Sequence, residues 1–157
     1  MPAAAIVDVS VAGRDRKSTS WAGTAASGQH SAEPRRPLRV VVVEDDAIIA
    51  MELEMMLQDL GVEVLGIATT AAEAIRLVEQ HRPDCATMDI NIRGERDGIS
   101  AAIEIYELLG VRSIFATAYG NPETVKRAAP AHPIGWVKKP FEAEDLKSAL
   151  RQVLKGN

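Results

Sequence analysis

From Leu38 onward the chain alternates between short apolar runs and longer stretches in which apolar residues recur every three or four positions. Leu38-Arg39-Val40-Val41-Val42-Val43 reads as a strand buried on both faces, because its apolar side chains follow one another without polar alternates. Over 47–60, Ile49, Leu53, Met56, Leu57 and Leu60 fall at i, i+4, i+7, i+8 and i+11, one stripe of a helix. Gly61 ends it, at the position where a left-handed residue is easiest. Glu63 to Ala68 predicts a second strand, and Thr70 with Glu73 forms a capping-box pattern that opens a helix over 71–81. Cys85 to Met88 predicts a third strand, and 98–109 a third helix with Ile99, Ala102, Ile103 and Tyr106 on one side. Ser113 to Ala116 predicts a fourth strand. Pro122 suits the first residue of a short helix that Pro130 must end. Ile134 to Val137 predicts a fifth strand, and 142–154 a last helix with Leu146, Ala149, Leu150 and Val153 inward. Five strands alternating with five helices give βαβ units, and right-handed crossovers then make a parallel sheet covered on both faces. The expected fold class is α/β, a doubly wound five-stranded parallel sheet, with its site at the carboxyl ends of the strands.

Residues 1–36 lack this texture. They are rich in Ala, Ser, Gly and charge, show no sustained period, and lead into Glu33-Pro34-Arg35-Arg36-Pro37. Such a segment buries too little apolar surface to offset its ordering entropy. The expected organisation is a disordered tail over 1–36 and a folded domain over 37–157. Ala3 to Val11 is too short for a secretory core and is broken by Asp8. The Arg14-Asp15-Arg16-Lys17 cluster is read as a solvated run.

Charge sharpens the division. Residues 1–36 hold five Lys/Arg against three Asp/Glu, and residues 37–157 hold thirteen against nineteen, so +2 and −6 make up the net −4. An acidic domain argues against direct nucleic-acid binding, which wants a basic face. The single Cys85 excludes an internal disulfide and a multi-cysteine metal site and suits a reducing compartment. No apolar run approaches the ~20 residues of a membrane span. A cytoplasmic protein without membrane contact is expected.

The chemistry lies at the strand ends. The first strand leads into Glu44-Asp45-Asp46, the third into Asp89, the fourth into Thr117 and the fifth into Lys139. Doubly wound topology brings these four ends to one edge of the sheet. Carboxylates about 5 Å apart repel by roughly 3 kcal/mol per pair at an effective dielectric of about 20. Such a cluster wants a hard cation. Mg²⁺ takes one or two carboxylates and favours phosphate oxygens as further ligands. An aspartate can accept a phosphoryl group as a nucleophile, while a lysine and a hydroxyl stabilise the phosphoryl oxygens. Asp89, Lys139 and Thr117 supply one of each. Asp46 is either a third acid near the metal or the N-cap of the first helix.

Taken in order, Val43-Glu44-Asp45, Met88-Asp89-Ile90-Asn91, Asp97-Gly98, Phe115-Ala116-Thr117-Ala118 and Trp136-Val137-Lys138-Lys139-Pro140-Phe141 resemble the receiver domain of bacterial two-component response regulators. The resemblance covers about Leu38 to Leu154 and implies the (βα)5 flavodoxin-like receiver fold. It implies Mg²⁺ held by Glu44, Asp45, Asp89 and the backbone carbonyl of Asn91. It also implies that Asp89 is the phosphoacceptor, that Thr117 is the switch hydroxyl, that Lys139 binds the phosphoryl group, and that the Lys139–Pro140 bond is cis. Trp136 falls at the switch-aromatic position, where Tyr or Phe is usual. Phe115 to Gly120 is similar to the FAT GUY subgroup, with Ala118 in place of its Gly; many members are free-standing. Arg93 stands where many receivers carry Pro, and the segment from Asp89 to Asp97 is one residue longer than usual.

The implied function is a signalling module rather than an enzyme: a single-domain response regulator phosphorylated by a histidine kinase or histidine phosphotransfer protein. Only Lys155-Gly156-Asn157 follow the last predicted helix, so no DNA-binding output is expected. The oligomeric state is left open, a phosphorylation-dependent dimer included. Two other functions compete. A haloacid-dehalogenase-type phosphatase would need Asp-x-Asp at the first strand, which here ends Glu-Asp-Asp. A receiver-like interaction module that is never phosphorylated would usually lack the acceptor or an acid, and this chain keeps all of them. Cys85 is read as a small buried hydrophobe. His30, His81 and His132 lack metal spacing, and Met51, Met55 and Met56 are expected to pack in the core.

Overall fold

The computed structural model describes residues 35–118 and 120–156. The expectation for 1–36, with the Arg14-Asp15-Arg16-Lys17 cluster and His30, lies outside the described residues save for Arg35 and Arg36. From there the chain runs β1 (Arg39–Val43), α1 (Ala47–Asp59), β2 (Glu63–Ala68), α2 (Ala71–His81), β3 (Cys85–Asp89), α3 (Gly98–Leu109), β4 (Ser113–Thr117), α4 (Pro122–Ala128), a 3₁₀ turn (Ala129–Ala131), β5 (Gly135–Lys138) and α5 (Ala143–Lys155).

All strand pairs are parallel, in the order β2-β1-β3-β4-β5. The sheet is apolar on both faces because successive side chains of β1 point to opposite sides. Val41 and Val43 join Ala74, Val78, Met88, Ile105 and Phe115 beneath α2, α3 and α4. Val40 and Val42 join Leu53, Leu57, Ile114, Leu146 and Leu150 beneath α1 and α5. The chain leaves β1 for β2 on one face and returns to β3 on the other. The strand order therefore reverses between β1 and β3, and their carboxyl ends open a crevice there.

Helix starts follow the expected chemistry. Asp46 accepts from the N–H groups of Ile48 and Ile49 at 2.9 and 3.1 Å, so it is the N-cap of α1. Thr70 Oγ1 accepts from Glu73 N at 3.2 Å, while the Glu73 carboxylate reaches back to Thr69 N at 2.9 Å rather than to Thr70. Gly61 takes φ +80° just past α1.

Two helix faces differ from the sequence expectation. In α1 the buried line is Ala50, Leu53 and Leu57, and Ile49 and Met56 flank it half-buried. Met51 and Met55 are each 59 % exposed and do not pack in the core. At about 100° per residue they lie roughly 125° and 165° around the helix from that line. In α3 the buried residues are Gly98, Ile99, Ala101, Ala102 and Ile105, with Ile103 and Tyr106 at the margin. The helix presents its small residues to the sheet because its first residue presses on the backbone of β3. The inward set of α5, Leu146, Ala149, Leu150 and Val153, is as expected, as is fully buried Cys85, whose thiol burial pushes up to about 12.

Candidate functional site

Each site residue is delivered by a strand that is itself locked in the core. Glu44 follows β1 directly, and its N–H donates to Ala68 O at 2.9 Å, which fixes the turn out of the sheet. Its side chain is 2 % exposed. Asp45 is half-buried beside it. Asp89 is the last residue of β3 and is 7 % exposed. Ligand oxygens of Glu44, Asp45 and Asp89 all lie within 4.8 Å of one another. Asp46, turned to cap α1, is not in the group. This donor set, oxygen only and triply acidic, suits a hard cation.

Lys139 enters from the far side of the sheet. Its backbone N–H donates to Thr117 O at 2.9 Å, which extends the β4–β5 ladder by one residue, and the Lys139–Pro140 bond is cis. Its ammonium donates to Glu44 Oε2 at 2.6 Å and lies 3.2 Å from Asp89 Oδ1. Burial pushes the Glu44 carboxyl above the ordinary carboxylate range, against the pull of Lys139 and of the Asp46 N–H at 3.1 Å. Burial also works against the charge on Lys139. The hydrogen bond to Glu44 and the neighbouring Asp89 outweigh it, so the ammonium keeps its proton to higher pH than a free lysine. Three acids and one base thus share a nearly closed corner with a surplus of negative charge.

Thr117 ends β4, one residue beyond Ala116, which stands opposite Asp89 in the register. It therefore borders the acidic corner on the β4 side. Asn91 is exposed, two residues past Asp89 on the β3–α3 loop. Trp136 is not in the corner. It stands opposite Phe115 across β4 and β5 and stacks on it, with centroids 4.8 Å apart and planes at 21°. Its indole lines an open groove of about 690 Å³ between β5 and α4, together with Thr117 and Val125. Glu44, Asp45, Asp89 and Lys139 thus form an acidic corner, Trp136 lines an adjacent groove, Thr117 lines that groove and borders the corner, and Asn91 stands on the exposed loop.

One contact at the site cannot be read from the sequence. Gly98, the first residue of α3, sits so close to the end of β3 that an added Cβ would fall 1.8 Å from Asp89 O. Its N–H donates to Ile90 O at 2.7 Å. The Asp97-Gly98 pair marks the place, but only the packing reveals the contact.

A family model described as the response regulator receiver domain matches residues 40–151. The chain is 39 % identical over 114 residues to the transcriptional regulatory protein PdtaR of Mycobacterium tuberculosis, covering 73 % of this chain and 55 % of that protein. It is 33 % identical over 117 residues to the chemotaxis protein CheY of Bacillus subtilis, covering 74 % of this chain and 97 % of that one. It thus spans about half the length of PdtaR and nearly all of CheY. The structure is similar to that of the signal receiver domain of a modulated diguanylate cyclase from Desulfovibrio desulfuricans, with a TM-score of 0.71 and 32 % identity, over 76 % of this chain and 95 % of that one. With its acidic corner, its doubly wound sheet and this match over most of its length, the chain belongs to the response regulator receiver domain family.

Proposed function

We propose that this domain accepts a phosphoryl group on Asp89 from a histidine kinase or histidine phosphotransfer protein in the cytoplasm, and signals through protein contacts or by passing the phosphoryl group on. The observation that carries this is the corner itself. Asp89 faces Glu44 and Asp45 within 4.8 Å, and the Lys139 ammonium bridges Glu44 and Asp89. Glu44, Asp45, Asp89 and the backbone carbonyl of Asn91 would hold Mg²⁺, which when bound supplies positive charge beside the phosphoryl oxygens. The Asp89 carboxylate attacks phosphorus. The bond to the donor's imidazole nitrogen breaks, and that nitrogen keeps the electron pair. Lys139, already within reach of Asp89, takes a phosphoryl oxygen as a new acceptor. Thr117 donates its hydroxyl to another.

The test is intact-mass analysis after acetyl phosphate with Mg²⁺, comparing wild type with Asp89→Asn. Wild type gains one phosphoryl group and the variant none; an equal gain by the variant overturns the assignment. Turnover of small phosphate esters separates this function from a haloacid-dehalogenase-type phosphatase, and a receiver shows none.

A further inference from the structure

The loop that carries the phosphoacceptor is closed at its far end by α3, and α3 is tied in turn to α4. Gly98 rests on the peptide group of Asp89: its absent Cβ would stand 1.8 Å from Asp89 O and 2.8 Å from Asp89 C. Asp97, one residue earlier, caps α3 by accepting from Ser100 N at 2.9 Å through Oδ1. Its Oδ2 accepts a hydrogen bond from the Arg127 guanidinium in the last turn of α4. An unbroken line of contacts therefore runs from α4 through Arg127, Asp97 and Gly98 to the backbone of Asp89.

Among the described residues, α4 buries only Ala128 of its seven residues, and its Asn121 cap to Thr124 N at 2.8 Å is local. The ion pair adds a long-range tie from α4 to the start of α3. Burial works against the charge on Asp97, yet Arg127 and the Ser100 N–H hold its carboxyl below the usual range. The pair coexists with a Lys139 ammonium engaged by Glu44 and Asp89, an arrangement that a phosphoryl group on Asp89 would have to break.

We propose that Arg127 is a latch: through Asp97 and Gly98 it ties α4 to the backbone of the phosphoacceptor residue in the unmodified protein, and its ion pair gives way when Asp89 takes up a phosphoryl group. This rests on the assignment of Asp89 and adds a restraint separate from the Thr117 hydroxyl. A contact present in one state and broken in the other opposes the transition, and by linkage its removal strengthens whatever ligand drives that transition. Both partners are partly exposed, 56 % for Arg127 and 31 % for Asp97. A single pair of that kind shifts an equilibrium by about two- to fivefold. A surface staple that persists in both states would instead change stability and leave the affinity alone.

The experiment is a beryllofluoride titration at fixed Mg²⁺, followed by Trp136 fluorescence in a Trp21→Phe background. Arg127→Ala is expected to bind the mimic about two- to fivefold tighter at low salt, and Arg127→Lys to stay close to wild type. The advantage of Arg127→Ala should shrink as salt rises, because screening weakens the wild-type pair. Equal or weaker binding by Arg127→Ala, or an advantage independent of salt, overturns the latch. If no folded variant, wild type included, binds the mimic, the assignment of Asp89 has failed and the latch with it.

Discussion

Lys139 stands where two demands on one corner meet. Its ammonium offsets the repulsion among Glu44, Asp45 and Asp89, and the same charge competes with a cation for their oxygens. Removing it should therefore act in opposite directions on two measurements. Lys139→Ala is expected to bind Mg²⁺ more tightly by calorimetry, yet to take up phosphoryl groups from acetyl phosphate about 10²-fold more slowly, the loss typical of one preorganised charge. Weaker Mg²⁺ binding by the variant would show that the lysine shapes the site rather than competing for it. Asp84 shows the opposite electrostatic case. The Arg36 guanidinium, bonded to both of its oxygens at 2.8 Å, holds its carboxyl below the ordinary range; burial opposes this, and Arg39 N at 2.8 Å assists it. A depressed carboxylate stabilises the fold above its unfolded pKa and loses that contribution as pH falls through its folded value. Denaturant titrations should therefore show Asp84→Asn less stable than wild type at pH 7. The gap should close below about pH 4, near the ordinary carboxylate value. A gap independent of pH would refute the charge argument. At this scale Glu44, Asp89 and Thr117 stand out in the sequence because each follows an apolar run, and Asp45 and Lys139 come one residue later. Arg127 could not, because a pair of side chains thirty positions apart leaves no periodic trace.

Helices and strands were readable where burial sets a period, and less so where another contact sets the phase. The α5 stripe is wide, so its inward residues follow from spacing alone. In α1 every candidate position is apolar, and Ile48, Met51 and Met55 look as suitable for the core as Leu53 and Leu57. Only the docking of the helix on β1 and β2 decides that the latter pair is buried, while Ile48 is 79 % exposed. In α3 the phase is set by Gly98 against Asp89, a steric fact that hydrophobicity does not encode. That contact makes a sharp prediction. The nearest atoms around a Gly98 Cβ, in Asp89 and Ile90, are backbone, which cannot swing aside, so Gly98→Ala should cost about 1–3 kcal/mol as an overpacked site. Gly66→Ala is the control, because its Cβ would meet only the end of the Leu77 side chain, at 3.3 Å. Urea unfolding should place Gly98→Ala well below wild type and Gly66→Ala near it. Equal midpoints for the two would mean that α3 lifts from Asp89 without cost.

Across the whole domain, the strand order puts the acidic corner between β1 and β3, both covered on two faces, while the element beyond β4 is the one least held. The sheet and the α1–α5 face are anchored by fully buried Leu53, Leu57, Ile114 and Leu146. Among the described residues of 117–133, only Ala128 and Ala131 join the core. Few buried apolar contacts mean a low local unfolding free energy, so this segment can shift without disturbing the rest. It is also mechanically connected to the site at both ends. Thr117 borders the corner at one, and Arg127 reaches Asp97 at the end of the β3–α3 loop near the other. A phosphoryl group adds negative charge and new acceptor oxygens beside Thr117. The small pull that results should move α4 more than any other described element. Trp136, stacked on fully buried Phe115 and lining the groove against α4, should report the movement mainly through the groove side of its ring. The rival outcome is that the long 90–97 loop takes up the whole change. Amide hydrogen exchange with and without beryllofluoride separates them, with the largest change expected over 117–133. Changes confined to 90–97, with 117–133 silent, would mean that the signal stops at the loop and that neither Thr117 nor Arg127 carries it to α4.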